Sequence, residues 1–411
     1  WTVFVSVFIF LVAVSVRPRD PNILSNSFLN NIQEGDITMG SVVSDDPMTA
    51  SQLAQRMKPR DLKYNNPQNN KNNNNTTAKI PSKQFFQLHH MKTGGTSLGN
   101  MIRCALNRAS SSSSESTSPS TTTRIPFYNL EECSPHHYQQ CITGQSSSCV
   151  DRIDSSAVME FCAPLFQVQK FQWLSADAVT VIRHPVDRVW SMYRFRTKNC
   201  FSCLNLTDIY TNYVDTSSSS SGGGEEVPPI LPGVRKEDQS LCLAQLVNHQ
   251  TRNLLSSKFD DATHDTQQQQ QQQQRMIEEA IENLRTQFTV VGITEELDAT
   301  AQMMGQVFPW LATELSHDTK NNDTVQLHNS PKKKKKNAAA AAAIDPRQCP
   351  LGHANASPQN NRCGPSNTHW DLPSHPDEET RRLILQHNQL DLMLYEAAKQ
   401  RFQLQKEALR M

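Results

Sequence analysis

Six consecutive residues, Lys92-Thr93-Gly94-Gly95-Thr96-Ser97, put a mobile cation, two positions without a Cβ and three hydroxyls side by side. Bare backbone at the glycines lets an anion approach closely, and the hydroxyls add short donors. A helix beginning near Ser97 would offer its unpaired N–H groups and positive dipole end to a phosphate. The order differs from a Walker A loop, in which the lysine follows the glycines. Read alone, the same residues also describe an ordinary strand–helix connection.

A second stretch, about ninety residues on, has the same build. The residues from Ala178 to Ile182 form an apolar, β-branched run suited to a parallel strand covered on both faces. Pro185 fits the first turn of a following helix, where a missing N–H costs little. Arg183 at the strand end and Ser191 eight residues later could converge on one phosphate, the arginine as a rigid donor fork and the serine as a short hydroxyl. The plain alternative is a capped helix with a surface arginine.

Taken together, the two stretches resemble the nucleotide-binding signatures of sulfotransferases. These enzymes move a sulfuryl group from 3′-phosphoadenosine 5′-phosphosulfate (PAPS) to a hydroxyl or amine. The resemblance implies that Lys92 stabilises the leaving phosphate and that Thr93, Gly94, Gly95, Thr96 and Ser97 hold the 5′-phosphosulfate. It also implies that Arg183 and Ser191 fix the 3′-phosphate, and that no metal is required.

Other blocks between about 84 and 408 resemble the Golgi carbohydrate branch of that family, which sulfates heparan sulfate at the 2-O or 6-O position. Asn248-His249-Gln250-Thr251-Arg252-Asn253-Leu254 resembles its Gln-Thr-Arg segment. Phe288 to Leu297 resembles its strand ending in Gly-x-Thr-Glu, and Asn388 to Glu396 its closing helix. Read bare, these are a polar helix, a buried strand and an amphipathic helix. In that branch a catalytic histidine follows the lysine loop by a few dozen residues, within a cysteine-containing segment. Cys133-Ser134-Pro135-His136-His137-Tyr138 stands in that place, so the expected base is His137, then His136. A histidine near its ordinary pKa suits proton removal at neutral pH. His89, His90, Glu131 and Glu132 are the other proton acceptors nearby.

The elements that must position these residues follow from alternation of apolar runs and amphipathic periods. Strands are expected at 84–90, 178–183 and 288–294, and helices at 97–107, 186–196, 241–255, 276–286 and 377–409. This predicts an α/β protein: a P-loop-like, three-layer fold on a central parallel sheet, in one catalytic domain spanning 81–411. Homopolymer tracts at 72–75, 110–114, 217–224, 267–274, 332–336 and 338–343 read as exposed or disordered insertions. They account for a hydrophobic share of only 36% in 411 residues.

Compartment and partners follow from the remainder. Residues 1–20 open with a nearly continuous apolar run and read as a signal anchor or truncated transmembrane segment, and 21–80 as a disordered stem. Ten cysteines, scattered and even in number, suit disulfides in an oxidising compartment. Cys200-Phe-Ser-Cys203 has metal-site spacing, but no matching second pair accompanies it. Glycosylation acceptors occur at Asn74, Asn75, Asn205, Asn322 and Asn355. Forty basic residues balance forty acidic ones, which argues against nucleic acid as a partner. The expectation is a single-pass type II Golgi membrane protein with a lumenal catalytic domain, and a polysaccharide or glycoprotein glycan as acceptor. The alternatives are a non-catalytic glycan-binding protein of the same fold and a sulfotransferase acting on a non-carbohydrate acceptor.

Overall fold

The computed structural model describes residues 50–60, 84–90, 92–111, 127–130, 158–161, 164–166, 177–196, 200–201, 203–214, 230–232, 234, 236–257, 266–312 and 372–411. All belong to one compact unit, residues 48–411. In chain order the elements are α1 (Ala50–Arg56), β1 (Phe85–Leu88), α2 (Gly95–Ser111), β2 (Phe127–Leu130), β3 (Val158–Phe161), β4 (Asp177–Ile182) and α3 (Pro185–Arg196). Then come α4 (Leu206–Ile209), α5 (Lys236–Ala244), α6 (His249–Asn253), α7 (Thr266–Thr286) and β5 (Val290–Ile293). The remaining helices are α8 (Leu297–Val307), α9 (Pro309–Ala312), α10 (Glu378–His387) and α11 (Gln389–Leu409).

The five strands form one sheet in the order β2-β3-β1-β4-β5, and every pairing is parallel. The α/β three-layer fold expected from the sequence is therefore present. Strands β1, β4 and β5 are buried throughout, as strands covered by helices on both faces must be. On one face, Phe85 meets Phe308 and Trp310 edge-on, and a Cβ at Gly292 would strike Thr300 of α8. The opposite layer is led by α7 and α11, whose Ile277, Ile281, Leu394 and Phe402 enter the same core. The chain passes from β1 to the edge strand β2, returns to β3, crosses over β1 to β4 and moves on to β5, so the connections leaving the neighbours β1 and β4 head in opposite directions. The crevice at the carboxyl end of β1 is thus the topological switch point, where parallel sheets characteristically place ligands.

Two glutamine amides stand in for missing backbone partners. Gln405 of α11 accepts from the N–H of Val291 at 3.1 Å and donates to the carbonyl of Thr289 at 2.8 Å, along the outer edge of β5. Gln250 of α6 does the same at the end of β4. It accepts from Arg183 N–H and donates to Arg183 O, both at 2.9 Å.

The structure corrects several expectations. Residues 50–60, assigned to the stem, hold α1. Its Leu53 and Met57 are buried in the main core one helical turn apart, and Arg56 donates to the carbonyls of Arg285 and Thr286 at 2.6 Å. The glutamine tract at 267–274 is helical and belongs to α7. Glutamine is a good helix former, and the run is continuous with buried Met276, Ile277, Ala280 and Leu284. The tract at 110–114 begins as the last turn of α2, and the other tracts lie outside the described residues. The expected helix at 241–255 is two helices, parted at Asn248, whose φ of +46° lies in the left-handed region that asparagine tolerates. The expected helix at 377–409 is likewise interrupted, at Asn388.

Residues 1–20 lie outside the described residues, and no described helix is long and apolar enough to cross a membrane. Cys200 pairs with Cys242, joining the end of α3 to α5 around a second apolar cluster that includes Trp190, Tyr193 and Tyr210. Cys203 is also in a disulfide, so the Cys200–Cys203 motif is structural. Asn205 is exposed, and its side chain accepts from Thr207 N–H to cap α4.

Candidate functional site

The Lys92 loop leaves β1 at the switch point and enters α2 at Gly95. Two features show that its shape is imposed. Gly94 has φ +80° and would press a Cβ against Leu297, while Lys92 itself has φ +66°, a conformation that costs a non-glycine residue on the order of 1 kcal/mol or more. Thr93 is buried. Its hydroxyl donates to the carbonyl of His90 at 2.8 Å, so this side chain braces the loop from within. Thr294, at the end of β5, donates to Thr93 O at 2.8 Å. The Arg183 guanidinium donates to Lys92 O at 2.9 Å. The loop is therefore gripped from both neighbouring strands.

Beneath the loop lies a buried acid–histidine pair. His89 Nδ1 stands 3.0 Å from a carboxylate oxygen of Glu160, and β1 and β3 are in register with Gln87 opposite Glu160. Gln87 donates to Gly95 O at 2.9 Å. Gly95 and Gly99 make room for the pair: a Cβ at Gly95 would overlap the His89 ring, and one at Gly99 would meet the Glu160 carboxylate. The absence of side chains at 95 and 99 thus lets α2 lie down on two polar groups. His90, wholly buried, faces Asn253, whose amide lies 3.5 Å from His90 Nδ1 and 3.1 Å from His249 Nε2. Burial first, then the neighbouring charges, lowers the His90 pKa to about 3 and pushes that of His249 well below its ordinary value. Both rings are neutral at pH 7.

The electrostatics of the edge are one-sided. Lys92 Nζ is buried with no hydrogen-bond partner. Burial, followed by Arg183, Arg196 and Arg194, lowers its pKa to about 8. Among the described residues no carboxylate acts on it. Arg183 is also lowered by burial, against the opposing pull of Asp187 and Glu295.

Of the residues singled out in the sequence, the structure brings Lys92, Thr93, Gly94, Gly95 and Arg183 together at the carboxyl ends of β1 and β4. Thr96 and Ser97 occupy the first turn of α2, Ser97 buried and Thr96 partly so. Ser191 is on α3, partly buried. His136 and His137 lie outside the described residues.

Sequence reasoning missed Arg188. Its side chain is 0% exposed, 3.6 Å from the Asp391 carboxylate, and it donates to Gln245 O at 2.8 Å. Asp391 also accepts from Thr251 N–H and hydroxyl at 2.8 and 2.9 Å, and from Gln250 N–H at 3.2 Å. The Gln250 clamp on Arg183 is thereby anchored to α11. Asn248 and Asn388 complete the anchor reciprocally: Asn248 N–H donates to Asn388, while Leu390 and Asp391 N–H groups donate to Asn248. No sequence signal links these residues, which are about 140 to 200 positions apart.

Neither a scan against protein-family models nor a search of curated proteins finds a match to this chain. The fold and the site by themselves define a parallel α/β protein with an under-neutralised cationic edge at its switch point.

Proposed function

We propose that the protein is a sulfotransferase, transferring a sulfuryl group from PAPS to a hydroxyl of a polysaccharide or glycoprotein glycan. One observation carries this reading. The Lys92 ammonium is buried without a hydrogen-bond partner, on a strained loop at a helix start, and among arginines rather than carboxylates. A buried cation without a counter-charge is costly, and an oxyanion supplied by a ligand removes that cost. The glycine at 94 and the first turn of α2 leave backbone N–H groups for the same anion.

In the reaction, a bond forms from the acceptor oxygen to sulfur as the bond from sulfur to the 5′-phosphate oxygen breaks. The acceptor proton passes to a base, and adenosine 3′,5′-bisphosphate leaves. Lys92 offsets the charge that develops on the departing phosphate, while Thr96, Ser97 and the α2 N–H groups orient it. Arg183 and Ser191 hold the 3′-phosphate. The Gln250 clamp keeps the Arg183 backbone in place, and the tie to Lys92 O keeps the two anion-binding residues in one arrangement. His137, with His136 next, is the proposed base. The Cys200–Cys242 disulfide supports an oxidising compartment, in keeping with a lumenal domain of a Golgi membrane protein.

The test is thermal stabilisation of the full chain by adenosine 3′,5′-bisphosphate, with ATP and AMP alongside and Arg183→Ala as control. At about 100 times its dissociation constant the bisphosphate should add about 2.7 kcal/mol, a shift of a few degrees. A shift specific to the bisphosphate and absent in the variant is expected. No shift in a folded protein overturns the reading.

A further inference from the structure

The exposed ring of Phe195, in the last turn of α3, is 40% accessible and is in contact with two cations. Lys92 Nζ lies 4.4 Å from its centroid and the Arg196 guanidinium carbon 5.3 Å. Their separation can be no larger than these two distances together allow, which is within the span of a doubly anionic phosphosulfate or phosphate group. Arg196 Nε, like Lys92 Nζ, is buried without a hydrogen-bond partner. Burial disfavours the charge on Arg196, and among the described residues no acidic neighbour acts on it, whereas Arg183 has Asp187 and Glu295. Cation–π contact with one phenyl ring is worth only about 0.5–2 kcal/mol, so the ring holds the charges in place without replacing a counter-ion.

We propose that Arg196 is a further anion-binding residue, which grips the 5′ end of the donor nucleotide together with Lys92 while Phe195 holds the two cations at a fixed spacing. This rests on the sulfotransferase reading and assigns to Arg196 a place that neither the Gly-Gly loop nor the Arg183–Ser191 pair provides. The two ends of the nucleotide then have separate cations, Arg183 for the 3′-phosphate and Lys92 with Arg196 for the 5′ group. A planar guanidinium suits this role because it can bind two oxygens at once.

The experiment compares binding of three adenosine derivatives to the full chain: the 3′,5′-bisphosphate, the 3′-monophosphate and the 5′-phosphosulfate. Arg196→Gln, which keeps much of the stem, should weaken the bisphosphate and the 5′-phosphosulfate roughly tenfold or more. It should leave the 3′-monophosphate within about twofold. Arg183→Ala should give the opposite pattern, and Arg196→Lys should recover part of the loss. Bisphosphate binding unchanged in Arg196→Gln overturns the proposal, as does an equal loss for all three ligands, which would mean a general effect of charge. A wild-type protein indifferent to all three overturns the sulfotransferase reading itself. Circular dichroism of each variant separates these outcomes from misfolding.

Discussion

Two arginines on one helix have opposite circumstances. Arg188 and Arg196 both belong to α3, two turns apart. Arg188 is completely buried, yet it faces Asp391 and donates to a backbone carbonyl and to Asn388. The Nε of each is buried without a hydrogen bond, but that of Arg188 lies 3.6 Å from the Asp391 carboxylate, whereas among the described residues no carboxylate acts on Arg196 or on Lys92 across the Phe195 ring. The first arrangement is what a fold needs when it takes a charge out of water. The second leaves charge without a counter-charge among the described residues. A cation that the chain has every means to pair and does not pair is better explained by a ligand than by stability.

The contrast is tested most severely at the paired end. Arg188→Ala or Asp391→Ala should cost about 3–5 kcal/mol in urea unfolding, because each leaves a buried charge alone. Next in size, Lys92→Met should abolish bisphosphate binding while leaving the melting temperature unchanged or higher, since the native state loses an uncompensated charge. A melting temperature several degrees lower would mean that Lys92 is structural like Arg188. Gly95→Ala should destabilise by about 1–3 kcal/mol through overlap with the buried His89 ring, with the loop displaced and nucleotide affinity reduced.

Two pH effects should follow. The Lys92 pKa of about 8 means that the ammonium is lost as pH rises through 8, so bisphosphate affinity should fall above that value in the wild type and less steeply in Lys92→Arg, whose guanidinium stays charged. At the acid end, His90 and His249 are held neutral in the folded state, while the unfolded chain takes up protons near pH 6.5. The unfolded state then binds more protons, and stability should decline as pH drops below 6.5 toward 3, followed as the urea midpoint. The smallest effect should come from the glutamine tract, where Gln271→Ala on exposed helix surface should change stability by no more than about 0.5 kcal/mol.

What could be read from the sequence was local. The strand–loop–helix units at Lys92 and Arg183 carry their own signals, apolar runs ending in glycines or in Arg-His-Pro, and the structure has strands and helices there. β2 and β3 were not foreseen. Each is four residues long, and β3 places the charged Glu160 in the buried interior, where a pattern reader sees an interrupted run. The residues that fix the site were equally silent. Asn248 looks like a polar helix residue until its left-handed backbone and its exchange with Asn388 are seen. Arg188 looks like a surface arginine until α11 delivers Asp391. Arg196 looks like one more basic residue on a helix, because its distinction lies in what is absent around it. The glutamine tract shows the reverse error, since low complexity suggested disorder where neighbouring apolar residues sustain a helix.

The Gln405 amide on β5 has a consequence for self-association. An uncovered edge strand offers its outward N–H and C=O groups to any other extended chain, which is how sheets fuse across molecules. Here one side chain occupies the Val291 donor and the Thr289 acceptor. Among the described residues this leaves β2 as the other margin of the sheet. Replacing Gln405 with an apolar residue of similar size would keep much of the packing and expose a strand ready for recruitment, turning the sheet's boundary into a seed for aggregation.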